Sequence, residues 1–480
     1  MNRKVVFYQV GRLLQIEGYL LILPAIVSLI YLEKGIWSFL ITSAITWLIG
    51  FAFVRLYHKK DSAIYAREGL ATVALAWVLM SLAGALPFYI SGEIPSYVDA
   101  FFETVSGFTT TGSSILTNVE EMSHGMLFWR SFTHWVGGMG VLVFVMAIFP
   151  QESGRSIHIM RAEMPGPVVG KLVPKIRETA KLLYIIYIVM TMVLVILLVA
   201  GGMPVFDSFL HSFGTAGTGG FATKADSIAG YSPYLQWVIA IFMMLFGINF
   251  NLYYLILIKR FKAALKSSEL WCYMSIIVVS TIAIGVNIYS SVGNVSDTIR
   301  HSFFQVSSII TTTGYSTVDF NLWPVFSKTM LVALMFIGGC AGSTAGGLKV
   351  SRVLILVKSV FRDLRRMMRP RSVASVRMEN KSVDRQTLEG VTGYLTIYVI
   401  IVFISTLLLS LNKFDFETTF TSIAACFNNI GPGLGGVGPM ASFAEYSAAS
   451  KVLLSFLMLL GRLEIYPLLL AFSPALWKRK

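Results

Sequence analysis

Thr109-Thr-Thr-Gly112 is the first of four matching segments in this chain, and the other three are Gly217-Thr-Gly-Gly220, Thr311-Thr-Thr-Gly314 and Asn428-Asn-Ile-Gly431. Each segment follows a short apolar stretch and precedes a long one. Eleven residues before each terminal glycine there is a phenylalanine, and six residues before it a small residue. The phenylalanines are Phe101, Phe209, Phe303 and Phe420, and the small residues are Ser106, Gly214, Ser308 and Ala425. The repeating unit is roughly a hundred residues, long enough for two membrane helices and a loop.

The composition indicates a membrane protein that crosses the bilayer many times. Of 480 residues, 55% are hydrophobic and only 13% are charged, and the mean hydropathy is +0.70. A soluble core of this length could not bury so much apolar surface. Ten windows are long and apolar enough to span a membrane: residues 13–33, 36–57, 68–90, 126–149, 180–200, 234–258, 271–290, 326–357, 392–412 and 452–472.

The basic residues predict the orientation of these spans. Alternate loops and the two ends of the chain contain 30 of the 39 Lys and Arg residues. By the positive-inside rule these loops face the cytoplasm, which places both termini inside and the four glycine segments outside. The outer loops are acidic, and that balance is expected to concentrate cations at the entrance.

Other classes of function find little support. The net charge of +14 is spread over several loops, which fits topology better than nucleic-acid binding. The three Cys and six His residues show no paired or metal-binding spacing, so neither a disulfide framework nor a bound metal is expected. We expect no covalent cofactor and no enzymatic activity.

The stretch before each glycine predicts a half-helix that enters the membrane and turns back. At about 10 to 12 residues it cannot cross a hydrocarbon layer of about 30 Å. Non-helical backbone is tolerated at that depth only where protein or a water-filled cavity satisfies it, so four loops at matching positions are expected to surround one aqueous axis. Backbone carbonyls there could replace the hydration shell of potassium. The predicted ion-binding residues are Thr110, Thr111, Gly112, Thr218, Gly219, Gly220, Thr312, Thr313, Gly314, Asn429, Ile430 and Gly431.

A glycine-rich segment interrupts the last long apolar stretch of the third repeat. Gly338, Gly342 and Gly346 have the spacing of a helix-packing motif. Five glycines, a serine and a threonine within ten residues nevertheless make a poor helix interior, which favours an unwound loop below the predicted ring of carbonyls. Such a loop could occlude the ion path as a gate. The candidate gate residues in it are Gly338, Gly339, Gly342, Ser343, Thr344, Gly346, Gly347 and Lys349.

Arg462 lies in the middle of the last predicted span. A charge there costs about 2.5 to 3.5 kcal/mol on insertion scales and indicates function by default. Glu464 would face another side of an ideal helix. Arg462 is therefore either a cation below the filter that prevents leakage or a structural residue that binds helix-end carbonyls or Glu464.

Several motifs resemble the TrkH/TrkG branch of the bacterial Trk/Ktr/HKT cation transporters. They are the four repeats, the Gly338–Lys349 segment, Asn428-Asn-Ile-Gly-Pro-Gly-Leu-Gly435 and Gly461-Arg-Leu-Glu-Ile465. The two extra spans before the first repeat are also similar to this branch. The resemblance implies passage of potassium and rubidium through one pore per subunit of a homodimer in the bacterial cytoplasmic membrane. It also implies a TrkA-like nucleotide-binding ring on the inner face, and a gate formed by the third-repeat loop and Arg462.

The predicted fold class is an all-α polytopic membrane protein, with four helix, pore loop, helix repeats in pseudo-fourfold arrangement and two further N-terminal membrane helices. The predicted units are residues 1–66, 67–155, 156–266, 267–385 and 386–480, the last four being the repeats. Two alternatives stay open. A proton- or sodium-coupled symporter needs an intramembrane carboxylate relay, for which only Glu464 is evident. An intramembrane enzyme needs converging nucleophiles or metal ligands, which the sequence does not supply.

Overall fold

The structure is a computed structural model that describes residues 1–57, 66–140, 176–370, 375–379 and 381–477. Six spans in these ranges are long and apolar enough to cross a membrane. Two belong to the N-terminal pair and four are the first helices of the repeats. Their helices are Arg3–Leu20 with Ile22–Ile30, Ile36–Leu56, Ala66–Ser91, Ile176–Ala200, Ser268–Val292 and Arg385–Leu409.

A short buried helix follows each first helix, as the repeat pattern predicts. These four pore helices are Tyr97–Phe108, Val205–Gly217, Val295–Ile310 and Phe416–Asn428. With 12 to 16 residues they extend only about 18 to 24 Å, too short to cross the bilayer. Each carries an acidic residue in its first turn, where a negative charge stabilises the positive end of the helix: Asp99, Asp207, Asp297 and Glu417.

The second helix of every repeat is shorter than the sequence windows predict. These inner helices are His124–Gly138, Pro233–Phe246, Val325–Ile337 and Ala448–Arg462, each of 13 to 15 residues. The second is followed after a 91° bend by Phe250–Leu257. The expectation of a continuous second span is therefore wrong for the first, second and fourth repeats, whereas the break predicted in the third repeat is present. Apolar composition alone does not reveal a break, because a few residues outside helical geometry are enough to end a helix.

The remaining elements lie mostly beyond these breaks. They are the helices Phe261–Leu265, Val350–Met368, Tyr466–Phe472 and Pro474–Trp477, and the 3-10 turns Phe320–Leu322, Ser410–Asn412 and Gly435–Val437. The strands Arg377–Met378 and Lys381–Ser382 pair antiparallel, with Arg377 opposite Ser382. Apart from this hairpin, the regular structure of the described ranges is helical, which confirms the all-α class. The predicted boundary at 155/156 lies outside the described residues.

Candidate functional site: a ring of four turns above a glycine-rich loop

The same backbone turn ends each pore helix. The N–H of the residue before each terminal glycine donates to the carbonyl five residues earlier, as in the Schellman motif that closes many helices. The four pairs are Thr111 to Ser106 (2.8 Å), Gly219 to Gly214 (2.8 Å), Thr313 to Ser308 (2.8 Å) and Ile430 to Ala425 (2.9 Å). The small residue six positions before each glycine is thus the acceptor of this turn, and one local fold occurs four times.

Two residues of each turn have left-handed backbone geometry. The terminal glycines have φ between 77° and 98°, which glycine adopts without steric cost. The residue two positions earlier is left-handed as well, although three of the four are β-branched threonines, for which this conformation is strained. These residues are Thr110 (φ 54°), Thr218 (56°), Thr312 (57°) and Asn429 (57°). The repetition of the strain at matching positions indicates that function requires this geometry.

The four turns lie side by side in a closed ring. Glycine permits the approach, because a Cβ at the terminal position would meet a carbonyl oxygen of the next repeat. The contacts run from Gly112 to Gly219, Gly220 to Thr313, Gly314 to Ile430, and Gly431 to Thr111. The last contact returns to the first segment, so the order of the repeats in the chain is also their order around one axis.

Hydrogen bonds between neighbouring repeats hold this ring together. The Phe221 N–H donates to His134 Nε2 (3.3 Å), and the Tyr315 hydroxyl donates to the Phe221 carbonyl (3.1 Å). Across the remaining two junctions the bonds join Asn321 with Gly435 in both directions (3.2 and 3.0 Å), Ser113 Oγ with the Gly431 carbonyl (3.0 Å), and Asn429 Nδ2 with Thr111 Oγ1 (2.9 Å). Every junction of the ring therefore has at least one direct bond.

A cavity of about 420 Å³ opens on one face of the ring, the face predicted to lie outside, and is lined by all four terminal glycines. Its charged lining residues are Arg130, Lys224 and Glu445, so the lining is not acidic. Several carboxylates in the loops predicted to face outward instead pair with nearby cations: Asp99 with Lys451 (2.7 Å), Asp297 with Arg300 (2.7 Å) and Glu417 with Lys328 (3.0 Å). Because these carboxylates are already paired, less negative charge is left to attract cations. Concentration of cations by the acidic loops stays a prediction.

The glycine-rich segment 338–349 is non-helical and lies directly below the ring. Gly338, Gly342 and Gly347 have positive φ, as does Lys349. The Gly346 N–H donates to Thr312 Oγ1 (2.6 Å), and a Cβ on Gly346 would overlap the Asn428 carbonyl. The middle of the loop therefore contacts the turns of the third and fourth repeats.

The other predicted loop residues lie within the same packed segment. A Cβ on Gly338 would overlap the Gly346 carbonyl, and one on Gly339 would crowd the side chain of Ala345. Ser343 Oγ donates to the Cys340 carbonyl (2.6 Å). Lys349, which is 2% exposed, donates from Nζ to the Ala345 carbonyl. The glycines thus allow the loop to fold back on itself in a space with little room for side chains.

Arg462 connects the loop to the first repeat. It is the last residue of its helix, and the next helix begins at Tyr466, so the expectation of one continuous helix over residues 452–472 is wrong. Its guanidinium donates to the Thr344 carbonyl (2.9 Å), and to the carbonyls of Gly137 and Gly138 (2.9 Å to the latter) at the end of the first inner helix. A cation is favourable at helix C-terminal carbonyls. Arg462 therefore binds helix-end carbonyls, as its structural interpretation predicts. Through the Thr344 carbonyl it also holds the loop.

Sequence reasoning missed Glu269 and the partner of Glu464, which both support this region. Glu269, at the start of the third repeat, accepts from the N–H groups of Ala341 within the loop (2.7 Å) and Ser351 just after it (3.1 Å). Glu464 pairs with Arg352 (2.6 Å). A charge at the edge of an apolar span was the available signal for Glu269. Its partners lie 72 and 82 residues away in sequence, and no local pattern shows that contact.

Known proteins match the chain over its whole length. A model of the family described as "TrkH: Cation transport protein" matches residues 36–479. The Trk system potassium uptake protein TrkH of Salmonella typhimurium is 37% identical over 100% of both chains, and the Trk system potassium uptake protein TrkG of Escherichia coli is 32% identical over 99% of both.

A solved structure agrees in fold. The crystal structure of the potassium transporter TrkH from Vibrio parahaemolyticus superposes with a TM-score of 0.90 at 31% identity, covering 100% of both chains. This match confirms the predicted architecture of a multi-pass membrane protein, and the relatives are transporters rather than enzymes. The chain therefore belongs to the TrkH family of cation transport proteins.

Proposed function

We propose that this protein takes up potassium across the cytoplasmic membrane by channel-like passage through the ring of four turns. The observation that carries the proposal is the closed contact path from Gly112 through Gly220, Gly314 and Gly431 back to Thr111. Four identical turns around one axis offer carbonyl oxygens from four sides, which suits an ion that carries no directional preference. The potassium uptake named for the similar TrkH and TrkG proteins supports the choice of ion.

The electrostatics of the ring favour a cation. All four pore helices end at the filter turns, so their C-terminal partial negative charges point to the same region. Carbonyl oxygens there can replace water around a dehydrated ion. The binding residues in this proposal are the twelve predicted from sequence, three from each repeat.

We propose further that the loop 338–349 and Arg462 form the gate. The loop lies between the filter and Arg462, touching Thr312 above and bonded through Thr344 below. Ten of its twelve residues are buried, so in this conformation it occupies the space under the ring. Opening then requires the loop to leave Arg462 and Glu269.

Flux in liposomes tests the channel-like mechanism. Purified protein is reconstituted with a potassium gradient, and potassium or rubidium movement is measured with and without an imposed proton or sodium gradient. We expect flux to follow the electrochemical gradient of potassium alone. A requirement for a proton or sodium gradient would contradict channel-like passage.

A coupled symporter needs an intramembrane carboxylate, and the structure contains one that the sequence reasoning overlooked. Glu17, in the first span, is fully buried, and neither carboxylate oxygen has a hydrogen-bond partner among the described residues. It lies beside Gly84, at the rear of the first pore helix near Thr104 and Phe108. Because Glu17 does not line the cavity above the ring, its position does not favour a relay along the ion path.

The assembly proposed for this protein is a homodimer with a TrkA-like nucleotide-binding ring on its cytoplasmic face and both termini inside. The helix Val350–Met368, which continues from the gate loop, supports this choice of docking face because Arg365 and Arg366 on it are exposed. Contact with inner-leaflet lipid would use the same charges. Pull-down of a TrkA-type subunit by wild type and by Arg365→Glu/Arg366→Glu separates the two, since loss of capture is expected only for a protein contact. Mass measurement in detergent tests the dimer.

A further inference from the structure

The position nine residues before each terminal glycine is polar and buried in all four repeats. The residues are Glu103, His211, Gln305 and Ser422, none of them more than 1% exposed. Each side chain bonds to a group outside its own pore helix. This position therefore supports the filter turn from behind, and its chemistry differs among the repeats.

In the first repeat the support is a carboxylate with three donors. Glu103 accepts from Ser114 Oγ (3.0 Å) and from the Ile115 N–H (3.0 Å), both just beyond Gly112. Arg130 Nε donates to the same carboxylate at 2.5 Å. Hydrogen bonds to an ionised acceptor are about twice as strong as neutral ones.

Arg130 extends this support to the second repeat. Its Nη1 donates to the Ala222 carbonyl (3.1 Å), two residues beyond Gly220. Its guanidinium lies 3.6 Å from the ring centroid of Phe221. The Glu103–Arg130 pair thus connects the segments that follow the first and second filter glycines.

The other repeats use bonds between uncharged groups at this position. Gln305 donates to the Tyr315 carbonyl (3.3 Å), and Ser422 bonds the Tyr446 hydroxyl (2.6 Å). His211 lies 3.4 Å from Thr223 Oγ1 and 3.3 Å from the Tyr231 hydroxyl. Among these four positions, only the first carries a buried ion pair.

We propose that Glu103 and Arg130 are positioning residues for ion selectivity, bracing the first two filter segments against contraction around a smaller ion. The proposal rests on the proposed function of the ring. Carbonyls favour potassium over sodium only while their spacing and number around the ion are maintained. A brace that spans two of four segments restricts half of the ring.

The test is the potassium-to-sodium flux ratio of Glu103→Gln in liposomes. Both carboxylate oxygens accept bonds, so an amide must turn an NH₂ group toward one of the existing donors. Loss of about one hydrogen bond predicts a ratio roughly three- to tenfold lower than in wild type. Arg130→Lys, which keeps the charge and loses the planar fork, is expected to lower the ratio as well.

The matched control is Asp99→Asn. Asp99 is in the same pore helix as Glu103, but at the end away from the filter turn. The substitution breaks its ion pair with Lys451 of the fourth inner helix. We expect its flux ratio to equal that of wild type. Thermal unfolding of each purified variant shows whether it folds, and if Glu103→Gln does not, Arg130→Lys decides.

Three outcomes are distinguishable. A lower ratio in the folded Glu103 or Arg130 variant, with an unchanged control, supports the brace. Equal reduction of potassium and sodium flux, with the ratio preserved, would overturn it, because the pair would then act only through the charge of Arg130 at the cavity. A wild-type protein that does not distinguish potassium from sodium would overturn the proposed function itself, and the brace with it.

Discussion

The two halves of the proposed pore, the ring of four turns and the region below it, differ in how they use the fourfold repeat. Above, each repeat forms the same turn with the same backbone hydrogen bond and the same two left-handed residues. Below, all four inner helices stop after 13 to 15 residues. What happens at these ends differs among the repeats described there. The second repeat has a 91° bend, the third a twelve-residue loop, and the fourth Arg462, which is bonded to the third and first repeats. An ion in a cage benefits from equivalent oxygens on all sides. A gate needs only one element that moves.

The largest expected effect in the upper half comes from Gly314→Ala. The residue has φ of 86°, where an L side chain costs about 1 to 2 kcal/mol, and its new Cβ would overlap the Ile430 carbonyl. We expect potassium flux at least about tenfold lower, measured in liposomes.

Gly293→Ala is the control for backbone strain alone. Gly293 also has positive φ (72°), at the end of the first helix of the third repeat, and no atom lies within 4 Å of the added Cβ. Its flux should stay close to wild type. Equal loss in both variants would mean that overlap at the ring does not matter.

The largest expected effect in the lower half comes from Arg462→Ala. It removes three hydrogen bonds that hold the loop and the end of the first inner helix together. At about 1 kcal/mol each, their loss is expected to raise basal cation flux roughly tenfold or more. Flux without any partner subunit is the measurement.

Arg462→Lys separates the charge of Arg462 from its hydrogen-bonding geometry. Lysine keeps the charge but cannot present the planar fork to carbonyls of two elements. An intermediate rise is expected. Unchanged or reduced uptake in Arg462→Ala would count against its role in gating.

A smaller rise is expected from Glu269→Ala, which frees the N–H groups of Ala341 within the loop and Ser351 just after it. Basal flux should increase about fivefold, and less in Glu269→Gln, which retains one acceptor oxygen. If both variants match wild type, the two ends of the loop are held by other contacts.

The smallest effect is predicted for Thr312→Val, where filter and loop meet. Valine keeps the shape but removes the acceptor for the Gly346 N–H. Basal flux should rise about twofold, while Thr312→Ser, which keeps the hydroxyl, should not show the rise. A rise in both would point to packing rather than to this hydrogen bond.

The sequence predicts the upper half well, because its constraints are local. A turn of six residues, a left-handed glycine and a half-helix too short for the bilayer all leave a fixed spacing. The polar position nine residues before each glycine was equally visible as a register, but Glu103, His211, Gln305 and Ser422 share polarity rather than identity. Similarity of type is harder to notice than a repeated phenylalanine.

The lower half is less predictable because its contacts are distant in sequence. The bonds from Arg462 to Thr344 and Gly138 cross 118 and 324 residues. The breaks after Phe246 and Arg462 involve only a few residues in otherwise apolar stretches. Hydropathy averages over such short interruptions and predicts continuous spans.

The division of labour between the two halves is tested most directly by the potassium-to-sodium flux ratio of Arg462→Ala. If the ring selects and the loop gates, total flux rises and the ratio stays at its wild-type value. A ratio that falls as flux rises would show that the lower half contributes to selection, and would contradict the assignment of selection to the ring alone.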